Sequence, residues 1–135
     1  MKAQLLSAIE NSRGYTLAVE ETMLGDRFNF KPASSVWTFL ELINHIAYGL
    51  TWYNENYIQK RKTPWEPPVP HKTKAWTIKS LEQSFGSLKK VLNAIDLDDD
   101  IIHGVYATLD HVTHHRGQAT TYLRCNSITP SEYIF

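Results

Sequence analysis

Several things are scarce in this 135-residue chain, and each scarcity removes a class of protein. There is one cysteine, Cys125, so no internal disulfide can staple the fold, and the cytoplasm is the expected compartment. Neither sign of charge is in excess: 14 basic side chains balance 14 acidic ones. A neutral surface gives no electrostatic reason to expect a nucleic-acid backbone or an anionic membrane as partner. No apolar run approaches the roughly 18 residues that a membrane-spanning helix requires. The opening MKAQLLSAIENSRGY brings charges too soon for a secretory signal. A 42% share of hydrophobic residues is enough to bury a core, and the length suits one domain over residues 1–135.

The pattern that is present is helical. Leu5, Ile9, Ser12, Thr16, Val19 and Met23 recur at steps of four and three, which predicts a helix over Lys2 to Leu24 ended by Gly25 and Asp26. A second, strongly apolar segment free of proline predicts a central helix from Ser35 to Gln59, with Ser34 or Ser35 as its cap. Four prolines between Lys60 and Trp76 oppose helix and predict an irregular crossing. Sixteen extended residues span about 50 Å, more than a 20-residue helix, so the flanking helices are free to run parallel. Leu81, Phe85, Leu88, Leu92 and Ile95 predict a third helix over Thr77 to Ile95, and a fourth follows from Ile102 to Cys125. The aromatics of the tail ITPSEYIF are expected to pack back on an all-α bundle.

Six histidines carry most of the chemical content. His111 and His115 stand four apart, so their directions differ by about 40° on a helix and both can reach one ion. Six histidines in such a chain produce that spacing by chance in about one case in four, so a third ligand is needed. His45 supplies one: it lies mid-way along the apolar second helix, where an imidazole is costly unless bonded or coordinated. Three neutral imidazoles suit zinc or nickel and leave coordination positions open. The competing reading, equally compatible with the spacing, is a core His45 and a solvated His111/His115 pair. His114 is the rival ligand, at the edge of the same face. His71 and His103 read as surface residues. Glu41 and Gln118 could bond a ligand's second nitrogen, and Ser12, Thr16, Tyr48 and Trp52 could line a pocket. Arg116 points away from the pair and reads as an ion-pair or interface residue.

The combination of VWTFLELINHIAYG with HVTHHRGQATTYLR and a following ITPSEYIF resembles the DinB/YfiT-like superfamily over nearly the whole chain. Its most specific piece is a histidine, three intervening residues, then HRGQ. The resemblance implies a four-helix bundle of up-down-down-up topology with a long crossover between helices 2 and 3. It also implies a divalent metal held by His45, His111 and His115, and frequent homodimers. Relatives of this kind include transferases and isomerases that use small thiols such as bacillithiol or mycothiol. This chain is short for the group, which implies a reduced pocket or lid.

Two functions follow as expectations. The first is a divalent-metal-dependent enzyme, a thiol S-transferase acting on an electrophilic small molecule or a hydrolase, with no general acid or base that can be named. The second is a non-catalytic binding bundle whose histidines are structural or hold a structural metal.

Overall fold

The computed structural model describes residues 1–133. Four helices account for most of them: α1 (Lys2–Thr22), α2 (Phe39–Tyr53), α3 (Lys74–Ala94) and α4 (Asp99–Cys125). No strand occurs among the described residues, and no described helix is long and apolar enough to cross a membrane. The all-α expectation holds, with shifted boundaries. Helix α2 starts at Phe39 rather than near Ser35 because Thr38 is the true cap: its side chain accepts from Glu41 N–H while the Glu41 carboxylate accepts from Thr38 N–H. That reciprocal pair satisfies two otherwise orphaned donors. Likewise Thr73 caps α3 and Asp98 caps α4, each about one turn earlier than the apolar periodicity indicates. Local polar side chains, which carry no periodic signal, decide these ends.

The helix directions follow from side-chain contacts between particular residues. Lys2 Nζ donates to Ile95 O, and Lys74 Nζ donates to Glu21 O and Met23 O, so α1 and α3 are antiparallel. Thr51 bonds Ser84 and Asn54 bonds Ser87, advancing together, so α2 and α3 are parallel. His45 meets His115 while Tyr122 OH donates to Trp37 O, so α2 and α4 are antiparallel. The bundle is therefore up-down-down-up. Helices α1 and α2 each pack on both α3 and α4. The proline-rich crossing makes the parallel α2/α3 pair possible, and it is pinned at several points: Trp52 Nε1 donates to Thr63 O, and Asn44 exchanges two hydrogen bonds with the backbone of His71.

The core contains Leu5, Ile9, Phe39, Leu42, Ile46, Phe85, Leu88, Val112 and Leu123, all sealed from solvent. Each such side chain contributes about 1.5–3 kcal/mol on burial. Helix α2 does not stop cleanly. It passes into a π-turn over Asn54–Ile58, with Gln59 N–H donating to Asn54 O, and ends at Lys60, whose φ is +57°. The π-turn lies against α4 at Gly104, where a Cβ would stand 2.9 Å from Tyr57 O. Only glycine permits that approach.

Candidate metal centre

His45, on α2, and His111 and His115, on α4, converge across the antiparallel α2/α4 seam. Nε2 of His45 lies 3.0 Å from Nε2 of His115 and 3.0 Å from Nε2 of His111. The approach of His111 depends on Gly49, one turn after His45 on the same face. A Cβ there would stand 2.6 Å from His111 Nδ1 and closer still to Cε1. Aromatic rings wall the cluster: Tyr53 stacks on His111 at 4.9 Å, Trp37 lies 4.6 Å from His45, and Trp65 from the crossing lies 5.5 Å from His45.

Burial pushes His45 and His111 down to about 4, and the proximity of His115 adds to the effect. Burial also lowers His115, opposed by its bond to Gln118. All three rings are thus neutral at pH 7, as metal donors must be. Gln118 Oε1 lies 2.9 Å from His115 Nδ1. When Nδ1–H donates to it, the lone pair is left on Nε2 and directed at the cluster. His45 Nε2 carries one hydrogen at most, yet it faces two nitrogens. His111 Nδ1 is buried without a partner among the described residues. Hydrogen bonding among the rings therefore leaves a polar group unsatisfied, which is costly in a part-buried site. A cation accepting the three Nε2 lone pairs removes the conflict among the Nε2 atoms and leaves His111 Nδ1 as a buried N–H, so the donor set fits a divalent metal.

The remaining expectations divide. His114 is exposed and touches His115 only ring to ring, at 4.8 Å, so it is no part of the convergent set. His103 is exposed. His71 is exposed and stacks on Trp76. Gln118 orients His115 as expected, whereas Glu41 bonds the α2 cap and no histidine. Ser12 and Thr16 are on the other side of α4, bonded to Arg116. Tyr48 lines a cleft beside His45, but Trp52 holds the crossing.

Arg116 does point away from the histidines, but no acidic side chain pairs with it among the described residues. It is 3% exposed, and its guanidinium lies over Tyr15 at 4.8 Å and Tyr133 at 5.1 Å. Of the tail aromatics, Tyr133 packs back on Tyr15, while Phe135 lies outside the described residues. Glu20, which apolar periodicity does not single out, is fully buried and accepts from Thr77 Oγ1, with Oε2 unpartnered among the described residues. Its position one residue beyond the apolar stripe was the available signal.

Two clefts flank the cluster on either side of Trp37. One, about 480 Å³, is bounded by Trp37, Ala47, Tyr48 and the prolines of the crossing, and reaches His45. The other, about 430 Å³, is bounded by Val36, Trp37 and Tyr122, and reaches His115 and Gln118.

The architecture and site define an all-α four-helix bundle with three histidines brought together between its second and fourth helices. No protein-family model matches the sequence, and no curated protein matches it. Among solved structures, the crystal structure of a DinB-like protein, YjoA from Bacillus subtilis, aligns with a TM-score of 0.73 at 18% identity, covering 98% of this chain and 96% of that one. At this identity the likeness is one of fold.

Proposed function

We propose that this chain is a divalent-metal-dependent enzyme, with zinc or nickel held by His45, His111 and His115. The observation carrying the reading is the convergence of three neutral imidazoles on one point, where His45 Nε2 faces two ring nitrogens with a single hydrogen or lone pair to offer them. A metal held by three imidazoles with open positions supplies a deprotonated water or thiol at neutral pH. The reaction class is accordingly a hydrolysis or a thiol transfer to an electrophilic carbon. The chain's own residues perform the supporting roles. Gln118 fixes the tautomer and orientation of His115. Gly49 leaves room for His111. Trp37, Tyr53 and Trp65 exclude water from the rings and keep them neutral.

The test is metal analysis of untagged protein purified without added metal, beside His45→Ala and His115→Ala variants. One equivalent of metal in the parent, lost from both variants with helical circular dichroism retained, supports the reading. No metal even after reconstitution sinks it and leaves the binding bundle with structural histidines. A panel of esters and of electrophiles paired with thiols, assayed with and without chelator, then separates hydrolase from transferase.

A further inference from the structure

The charge of the two clefts carries the assignment one step further, from reaction class to substrate class. This step rests on the proposed role of the histidine cluster as the reacting centre. Neither cleft has a lysine or arginine among its described lining residues. Histidines aside, the one charged side chain lining either is Glu41, an exposed residue at the mouth of the larger cleft. Trp37, Tyr48, Ala47, Pro67 and Val69 give the larger cleft apolar and aromatic walls, and its remaining polar lining beside Glu41 and the histidines is neutral: Asn44, Thr51, Ser80 and Ser84. The buried arginine of the molecule, Arg116, bonds Ser12 and Thr16 on α1 and lines other cavities.

We infer that the larger cleft admits a small neutral or cationic organic molecule with an apolar body of about ring size, and disfavours one bearing a carboxylate or phosphate away from the reacting atom. An anionic group entering such a cleft loses its hydration and meets no lysine or arginine in return, only neutral side chains, of which Asn44 already donates to Leu40 O and His71 O and Thr51 is bonded to Ser84. An ammonium group meets the Glu41 carboxylate and the faces of Trp37 and Tyr48, both of which attract cations. Carboxylate-rich thiols are therefore poor fits, and neutral thiols or amines are better ones. Glu41 is the specificity-determining residue in this arrangement. Glu41→Gln removes its charge while retaining an N3 side chain able to complete the capping box.

The experiment uses three probes matched in shape: benzylamine, benzyl alcohol and benzoate. Each is titrated into the full-length protein as purified, and again after chelation, which removes coordination of the carboxylate to any metal. The indole N–H resonance of Trp37, assigned through Trp37→Phe, reports binding. In the chelated protein benzylamine should bind about tenfold more tightly than benzoate, the scale of one partly screened charge interaction, with benzyl alcohol between them. Glu41→Gln should bring benzylamine to the level of benzyl alcohol and leave the latter unchanged. Benzoate binding as tightly as benzylamine, no shift from any of the three probes, or a benzylamine advantage that survives Glu41→Gln would each overturn the inference. Failure of the metal reading would instead appear in the metal analysis and leave the titrations of chelated protein as they are.

Discussion

His115 and Arg116 are consecutive residues of α4, yet they serve opposite sides of the bundle and solve burial in opposite ways. The 100° step between neighbours on a helix sends His115 toward α2 and Arg116 toward α1. On the α2 side the half-buried polar groups at the seam are imidazoles that shed their charge and collect around one point. On the α1 side they are Arg116, which cannot shed its charge and is held by two tyrosine faces and three oxygens of Ser12 and Thr16, and Glu20. Burial raises the Glu20 carboxyl to about 7. The two sides teach that a buried polar group alone does not mark a reactive site. Convergence of several ring nitrogens on one point is the more telling feature, and among the described residues the α2/α4 seam has it.

The sharpest way to break the contrast is Gly49→Ala. The added methyl takes the space of the His111 ring, so metal stoichiometry should fall to near zero, and overpacking should cost about 1–3 kcal/mol. Metal analysis beside urea unfolding checks both. Retention of full metal content would mean that His111 is dispensable.

Next comes Glu20. Its carboxyl is raised from 4.5 to about 7, so its contribution to stability is present below pH 4.5 and lost as pH rises through about 7, on the order of 3 kcal/mol in all. Glu20→Gln should be more stable than the parent by that order at pH 8 and nearly equal to it at pH 4.5, as read by urea unfolding at the two pH values. The histidines have the opposite slope. With His45 and His111 lowered from 6.5 to about 4, their contribution is present above pH 6.5 and is lost as pH falls through about 4. The acid-side loss should persist in Glu20→Gln.

A smaller effect separates the two sides of α4. Arg116→Met should cost about 2 kcal/mol through lost ring and hydrogen-bond contacts while leaving metal content at the parental value. Loss of metal in that variant would show that the sides are coupled. The smallest expected change is Gln118→Ala, about tenfold in metal affinity at constant stability, the usual scale for removing a group that orients a histidine ligand. Competition with a chromophoric chelator measures it.

Much of this was legible from spacing. The apolar steps of α1 and α3 located those helices, and a proline-rich crossing long enough for parallel neighbours was visible between Lys60 and Trp76. The pair His111 and His115 was legible as a pair, but its convergence with His45 depends on the antiparallel packing of α2 on α4, which no local pattern contains. Thr38, Thr73 and Asp98 moved the helix starts because caps act through single hydrogen bonds. The π-turn after Tyr53 left no trace in a segment apolar on more than half its circumference. Arg116 was misread because its stabilising partners, Tyr15 and Tyr133, lie far from it in sequence and are aromatic rather than acidic. Gly49 carried a readable signal: a glycine one turn after a histidine, mid-helix, where no turn requires it.

The contacts that bring the histidines together join residues 66 and 70 positions apart. Such long closures come late in folding, after local helix formation, because the entropy of the intervening chain must be lost before the contact gives anything back. The imidazole cluster is thus a record of completed assembly: α2 can be fully helical and still have no partner for His45 until the last helix docks. In stopped-flow refolding, far-ultraviolet dichroism should recover ahead of any signal from Trp37 and Trp65, the rings that rest on His45, and the interval between the two would time the arrival of α4.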